Sequence, residues 1–206
     1  MEQGAFLAWG SQALWRMDLR IENGRALSAA ALGLAGCAAL VLAAHGLATA
    51  QRQGGAHPVV QGAGEAFVVR SAELDRGRRD VVIDVAEAGE AADAPPGLEH
   101  AARLLNVYAL HDVPPGDVQL TLVVHGGATS SVLTDEAHRA HARGANPHDE
   151  LVERLQRAGV QIEVCGQALR HHGYPAEGVL DGVEVSASAM TSLIDAQRDG
   201  AAVLSY

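Results

Sequence analysis

The sequence predicts an α/β fold built on a mainly parallel, five-stranded sheet. Short β-branched apolar runs, typical of buried parallel strands, alternate along the chain with stretches whose apolar residues recur at helical spacing. Such alternation favours parallel strands joined by right-handed helical crossovers. Because 48% of the residues are apolar but only 3% are aromatic, the core must consist mainly of Ala, Val and Leu.

Five segments are predicted to be strands. The first starts with the β-branched run VVIDV, the second contains LTLVV, and the third ends in VCG. The fourth and fifth are shorter and lie near the end of the sequence. The predicted strands are residues 81–89, 119–127, 160–166, 183–190 and 201–206.

Helices are predicted between these strands. Residues 131–144 begin beside Ser130 and Ser131, either of which would cap a helix. Residues 146–159 form a second amphipathic helix, with Asn146 as its cap and a proline at the first helical position. The remaining helical segments are predicted at residues 98–113, 167–173, 175–180 and 191–200.

The first 50 residues resemble a targeting segment. Three arginines, at positions 16, 20 and 25, precede residues 26–50, which contain no Asp, Glu, Lys or Arg and end in ATA. This pattern is typical of a secretory signal peptide. Two alternatives stay open. The apolar stretch is long enough to be an uncleaved membrane anchor, and LAGC resembles a lipoprotein motif with Cys37 as the lipidated residue.

All three interpretations place the globular part outside the cytoplasm, so a periplasmic or extracytoplasmic location is predicted. Two of them add a membrane tether through the N-terminus, and Met17 is an alternative start of the chain. The predicted organisation is therefore a signal peptide or anchor over residues 1–50, a linker or irregular segment over residues 51–79, and the α/β domain over residues 80–206.

Composition excludes several classes of function. A net charge of −10 argues against nucleic acid as a partner, because nucleic-acid binding requires a basic surface. Two cysteines are too few for a disulfide scaffold or a multi-cysteine zinc site. His138 and His141 lie three residues apart on a predicted helix, but no third ligand accompanies them, so no metal is predicted. No dinucleotide-binding glycine motif is present, and no cofactor is predicted.

Cys165 is the residue most indicative of chemistry. It lies where a predicted strand meets a turn, and it is the one thiol left if the N-terminal segment is removed. Such a thiol is a candidate nucleophile, sulfur carrier or ligand contact. The alternative is a small buried hydrophobic residue, which is the usual role of a free cysteine.

In an open α/β sheet, ligands bind beyond the carboxyl ends of the strands. Backbone N–H groups at a helix start would favour the thiolate form of Cys165. A histidine nearby would act as a base or hydrogen-bond donor, unless it is merely bonded to a loop backbone. The polar candidates are equally suited to capping or turn formation. The candidate residues predicted to converge there are Cys165 as the reactive group and His125, Gly126, Gly166, Gln167, Ser188 and Thr191 as substrate-binding residues.

Several blocks of sequence resemble the DsrE/DsrF-like family, specifically its exported bacterial branch. The blocks are DVAEAGE, ARLLNVYALHDVPP, LTLVVHGGAT, NPHDELVERLQRAGVQIEVCGQAL and SAMTSLIDAQRDG, and they lie within residues 80–206. The resemblance implies a flavodoxin-like three-layer sandwich that assembles into trimers or larger homo-oligomers. It also implies that Cys165 occupies the family's functional position, where sulfur-relay members accept a sulfane sulfur as a persulfide.

Two functions are therefore weighed. The first is a sulfur-handling protein, a persulfide carrier or sulfurtransferase-like protein, whose partner is a sulfur donor or acceptor protein or a small sulfur species. This hypothesis predicts that Cys165 is open to water and close to His125. The second is a non-enzymatic periplasmic binding or assembly module with a structural cysteine, which predicts a buried thiol and a large apolar interface.

Overall fold

A computed structural model describes residues 55–90, 93–141 and 144–206. Gly54–Tyr206 group as one compact unit. The predictions for residues 1–50 lie outside the described residues. Within the described part of the chain, no helix combines the length and apolar character needed to cross a membrane.

The five predicted strands form one sheet, and all four of its strand pairings are parallel. The order across the sheet is β4-β3-β2-β1-β5, so the chain steps one way from β1 to β4 and then returns to place β5 beside β1. The strands are β1 (Arg79–Val85), β2 (Val118–Val124), β3 (Gln161–Cys165), β4 (Val183–Ser186) and β5 (Ala202–Ser205).

Helices connect these strands as the sequence alternation predicts. Short 3₁₀ turns occupy Pro115–Asp117, Gly126–Val132 and Ala176–Gly178. The α-helices are α1 (Pro96–Leu110), α2 (Asp135–His141), α3 (Asp149–Arg157), α4 (Gly166–His172) and α5 (Ala189–Arg198).

The two faces of the sheet carry different cores. The main-core face, on which Ile83, Leu122 and Val164 are fully buried or nearly so, packs against α1 and α3. The opposite face, here called the site face, carries a smaller cluster of Val82, Val123, Cys165 and Ala189. Because the chain reverses direction between β4 and β5, a right-handed crossover places α5 on this second face. Helices therefore cover both faces, and the predicted three-layer α/β sandwich is confirmed.

The helix predicted at residues 131–144 starts later than its sequence pattern indicates. A 3₁₀ turn continues to Val132, and the Ser131 hydroxyl donates to the carbonyl of Ala128 instead of capping a helix. The helix begins at Asp135, where the Thr134 hydroxyl accepts from the Ala137 N–H. Gly126, with a φ of 54°, turns the chain out of β2 and starts this extra turn.

Asn146 does not cap α3, which begins at Asp149. Its buried side-chain amide donates to the carbonyls of Ser131 and Leu133, and its Oδ1 accepts from the His148 N–H. Asn146 thus ties two loops together, because buried backbone carbonyls need donors that the helices do not supply. This role depends on contacts across 13 to 15 residues of sequence, which a local capping pattern cannot reveal.

His148 is expected to make the protein less stable in mild acid. Burial, followed by the positive charge of His138, lowers the pKa of His148 from 6.5, and Asp149 opposes the change. As pH falls through 6.5, the unfolded chain binds a proton that the folded chain resists, so the free energy of unfolding falls. Urea unfolding at pH 7.5 and pH 5.5 should therefore show a smaller acid loss for His148→Gln than for the wild type. Equal acid losses in the two proteins would contradict this assignment.

The segment before β1 is part of the folded unit. Ala56 and Ala66 form an antiparallel bridge, and Val60 is only 1% exposed. Asn106 of α1 fastens this stretch through four hydrogen bonds to its backbone. The compact unit therefore begins earlier than residue 80, the boundary that the sequence indicates. The segment lacks helical or strand periodicity because side chains, with Asn106 making the most bonds and Glu99 adding one to the Gly64 N–H, satisfy much of its backbone in place of regular structure.

Candidate functional site

Strand register places His125 beside Cys165 on the site face. Val124 of β2 pairs with Val164 of β3, and the His125 N–H donates to the carbonyl of Val85, which extends the β1–β2 ladder by one residue. Side chains alternate between faces along a strand, so His125 shares the face of Val123 and Cys165. Continued by one residue, the β2–β3 register sets the backbone of His125 opposite that of Cys165, about 4.8 Å away, while the His125 ring bonds towards Asp84 of β1.

Asp84 of β1 holds the imidazole of His125. Its Oδ1 lies 2.5 Å from His125 Nε2, and the Ser205 hydroxyl donates to the other carboxylate oxygen over 3.3 Å. Both partners are partly buried, with side chains 28% and 21% exposed. Because a carboxylate accepts, Nε2 carries a proton, and in the neutral imidazole Nδ1 is then an acceptor. A carboxylate, an imidazole and a thiol thus follow one another across three adjacent strands.

The Cys165 thiol is buried, with 5% of the residue exposed. It packs among Val82, Val123 and Ala189. The expectation that this thiol is open to water is therefore wrong for the folded chain. The thiol is buried by a tertiary contact, because the first turn of α5 places Ala189 over the end of β3.

Gly126 and Gly166 allow backbone segments to approach closely. A Cβ at Gly166 would lie 2.8 Å from the carbonyl oxygen of Ser186, so this glycine lets the end of β4 lie against the start of α4. A Cβ at Gly126 would lie equally close to the carbonyl oxygen of Ala86. Both glycines therefore allow two backbone segments at the edge of the site to pack against each other without a Cβ between them.

The other three predicted binding residues fasten the turn between β4 and α5. Gln167 Nε2 donates to the carbonyl of Ala187 over 3.1 Å. The Ser188 hydroxyl accepts from the Met190 N–H and caps α5, while the Thr191 hydroxyl donates to the Ser188 carbonyl. In the folded chain these side chains therefore act as caps and turn residues around Cys165. We call residues 186–189 the cover turn.

Two site residues were missed by the sequence reasoning, Asp84 and Ser205. Asp84 is the one acidic residue in the apolar run of β1, and period-two alternation assigns it to the same face as Val82. An acidic residue within an apolar strand could therefore have been recognised from the sequence as a candidate site residue. Ser205 offers none, since only the pairing of β5 with β1 brings it to Asp84. His172 adds a further contact, with its Nε2 3.0 Å from the carbonyl oxygen of Gly126.

No group of three or more potential metal ligands occurs among the residues that the structure describes. His138, one of the two histidines considered above, is buried, and its Nδ1 contacts the carbonyl oxygen of Gly144. His141 instead meets the ring of Tyr174 edge-on. The two histidines therefore serve separate packing roles.

Comparison with known proteins identifies the family. The DsrE/DsrF-like family matches residues 79–206. Similar solved structures include a protein of unknown function from Methanobacterium thermoautotrophicum, with 20% identity and a TM-score of 0.47, and the ychN protein from E. coli, with 17% identity and a TM-score of 0.43. Each comparison covers 62% of this chain and 99% of the other. No curated protein matches the chain. Because the family match spans more than half of the sequence, the protein belongs to the DsrE/DsrF-like family.

Proposed function

We propose that the protein is a persulfide carrier in which Cys165 accepts the sulfur, assisted by His125 and Asp84. Family membership indicates a role related to sulfur relay in general. The observation that carries the specific proposal is the register that sets His125, itself bonded to Asp84, beside Cys165. The imidazole is already bonded to the carboxylate, and the proposed reaction brings it within hydrogen-bond reach of the thiol, the arrangement that activates a cysteine nucleophile.

In the proposed reaction, His125 Nδ1 takes the proton of Cys165, and Asp84 stabilises the resulting imidazolium. The thiolate attacks the terminal sulfane sulfur of a donor persulfide, forming a new S–S bond. The S–S bond of the donor breaks, and its electron pair leaves with the donor thiolate, which recovers the proton from His125. One sulfur atom moves at constant oxidation level, so no oxidant is needed.

The cover turn must open for this reaction, because it buries the thiol. The Gln167 amide fastens the turn to α4 through one exposed hydrogen bond to Ala187. Replacement by alanine, Gln167→Ala, should raise the labelling rate of Cys165 by a small thiol reagent about fivefold, since one such bond contributes about 1 kcal/mol. Gln156→Ala is the matched control, because Gln156 makes the same kind of bond to Asp181, far from the thiol along the chain. Equal labelling rates in the two variants would exclude Gln167 as the fastener.

The carrier function is tested by mass spectrometry of the full chain after polysulfide treatment and proteolysis. The peptide that contains Cys165 should gain one sulfur atom, which a reducing agent should remove. In Cys165→Ser that peptide should gain none, whereas any adduct on Cys37 serves as an internal reference for the treatment. A wild-type Cys165 peptide that stays unmodified under conditions that modify Cys37 would refute the carrier proposal.

One observation favours the second candidate, a non-enzymatic binding or assembly module with a structural cysteine. The thiol is only 5% exposed and lies among apolar side chains, as a purely structural cysteine would. Under this alternative, Cys165→Ala should leave binding partners and assembly unchanged apart from a modest loss of stability. Rapid labelling of the native thiol, compared with its rate in the unfolded chain, would decide in favour of the carrier.

Self-association is part of the proposal. Met190 and Ile194 are 72% and 62% exposed and lie one turn apart on α5, so they form an apolar stripe suited to a second copy. We expect a trimer or larger homo-oligomer by light scattering, and Ile194→Asp should shift it towards the monomer.

Export, with or without a membrane tether, stays a prediction from residues 1–50.

A further inference from the structure

An open surface cavity lies outside the proposed reaction site, on the opposite side of the sheet. It has a volume of about 570 Å³ and lies between α4, the end of α2 and the edge strand β4. Its lining includes Val185, which shares the main-core face with Val164, whereas Cys165 lies on the site face. Of the residues next to Cys165 in the chain, only Gly166 lines the cavity.

The cavity combines an apolar floor with an aromatic wall. Leu169 and Val185 provide the floor, and Val185 is 47% exposed although it belongs to a strand. Tyr174 provides the wall, with its ring stacked on His172 at 5.3 Å and met edge-on by His141 at 5.5 Å. His172 stacks on one face of the ring and His141 meets it at a steep angle, so these contacts fix the orientation of Tyr174 at the edge of the cavity.

The charge of the cavity is opposite to that of the chain. The chain carries 25 acidic residues and a net charge of −10, yet no aspartate or glutamate lines this cavity. Arg170 and His141 line it instead. Arg170 is exposed and takes part in none of the ion pairs among the described residues, so its guanidinium is available to an anion.

Gly173 keeps the mouth of the cavity open. It ends α4 in the left-handed conformation, with a φ of 74°, which glycine adopts without strain. A Cβ at this position would meet nothing within 4 Å, so the space beside Arg170 is free.

We propose that this cavity binds a small organic anion with a flat apolar body. The carboxylate or sulfonate group pairs with the Arg170 guanidinium, which donates two N–H bonds to such groups in bidentate geometry. The flat body lies against Tyr174 and Val185. This activity goes beyond sulfur transfer, and the site would persist if Cys165 were inert.

The test uses benzoate as the probe and benzamide as its neutral counterpart of the same shape. Titration of the ¹⁵N-labelled full chain should shift the amide signals of Gly166, Gly173 and Val185 with benzoate. Benzamide should bind about tenfold more weakly, because it lacks the charge that Arg170 recognises. Equal affinities for the two probes, or shifts confined to other parts of the chain, would overturn the proposal.

Matched variants test whether Arg170 supplies the positive charge that binds benzoate. Arg170→Gln should weaken benzoate binding about tenfold and leave benzamide binding unchanged. Arg157→Gln, an exposed arginine of α3 that pairs with Glu153, is the control and should change neither affinity. Tyr174→Leu should weaken both probes. If Arg170→Gln and Arg157→Gln weaken benzoate alike, general electrostatic attraction explains the binding, and the proposal fails.

Discussion

Replacing His125 with glutamine should slow sulfur transfer to Cys165 by about two orders of magnitude, the usual contribution of a positioned general base. Glutamine retains hydrogen-bonding capacity towards Asp84 but does not take the proton of the thiol. The measurement is the initial rate at which the Cys165 peptide gains sulfur from polysulfide, followed by mass spectrometry. Unfolding of the variant should match that of the wild type.

Two further variants separate proton transfer from packing. Asp84→Asn should reproduce a large part of the loss, because an amide in place of the carboxylate no longer stabilises the imidazolium. His171→Gln is the matched control, since His171 is exposed on α4, and its rate should equal that of the wild type. Indistinguishable rates for the variants at positions 125 and 171 would remove His125 from the mechanism.

Asn106→Ala is expected to cause the largest loss of stability, about 3–4 kcal/mol in the free energy of unfolding. Asn106 is fully buried and bonds to the N–H groups of Val59 and Val60 and to the carbonyls of Ala63 and Gly64. Alanine would remove all four bonds, and of the four backbone groups only the Ala63 carbonyl keeps another contact, to His57 Nδ1, so three groups of a costly kind are left without a side-chain partner. Urea unfolding monitored by circular dichroism gives the magnitude.

Hydrogen exchange shows where the stability is lost. Amides of residues 56–66 should lose protection in Asn106→Ala. The companion variant Asn146→Ala removes an equally buried asparagine that holds the segment around Ser131 and Leu133, so it should spare residues 56–66. Full protection of residues 56–66 in Asn106→Ala would mean that the segment is held by its apolar contacts alone.

The sheet was predictable from local pattern, because each strand is a short apolar run and each connection carries helical spacing. Helix starts were less predictable. Ser131 and Asn146 are good caps by residue type, but Ser131 donates to the Ala128 carbonyl three residues before it, within the 3₁₀ turn. Asn146 donates to the carbonyls of Ser131 and Leu133, which come close to it only in the folded chain. A local capping rule does not include that second kind of competitor.

For the site, the sequence placed Cys165 and His125 at adjacent strand ends, which the observed strand register supports. The sequence did not predict that the thiol is buried. Its burial depends on Ala189, which belongs to α5, a helix that also packs on other strands of the sheet. Asp84 was read as part of a buried apolar strand. Its neighbours on both sides are apolar, and only the partly open site face makes a carboxylate tolerable there.

The late position of β5 has a consequence for how the site forms. The Ser205 hydroxyl reaches Asp84 across 121 residues of sequence, and β5 joins a sheet whose other four strands pair with near neighbours in the chain. Closing so long a loop carries an entropic cost and slows the step that needs it. We therefore expect the other four strands to associate first. The Asp84 carboxylate then lacks its hydrogen bond from Ser205 until β5 pairs with β1. During refolding, amide protection in those four strands should then recover before the capacity to bind sulfur.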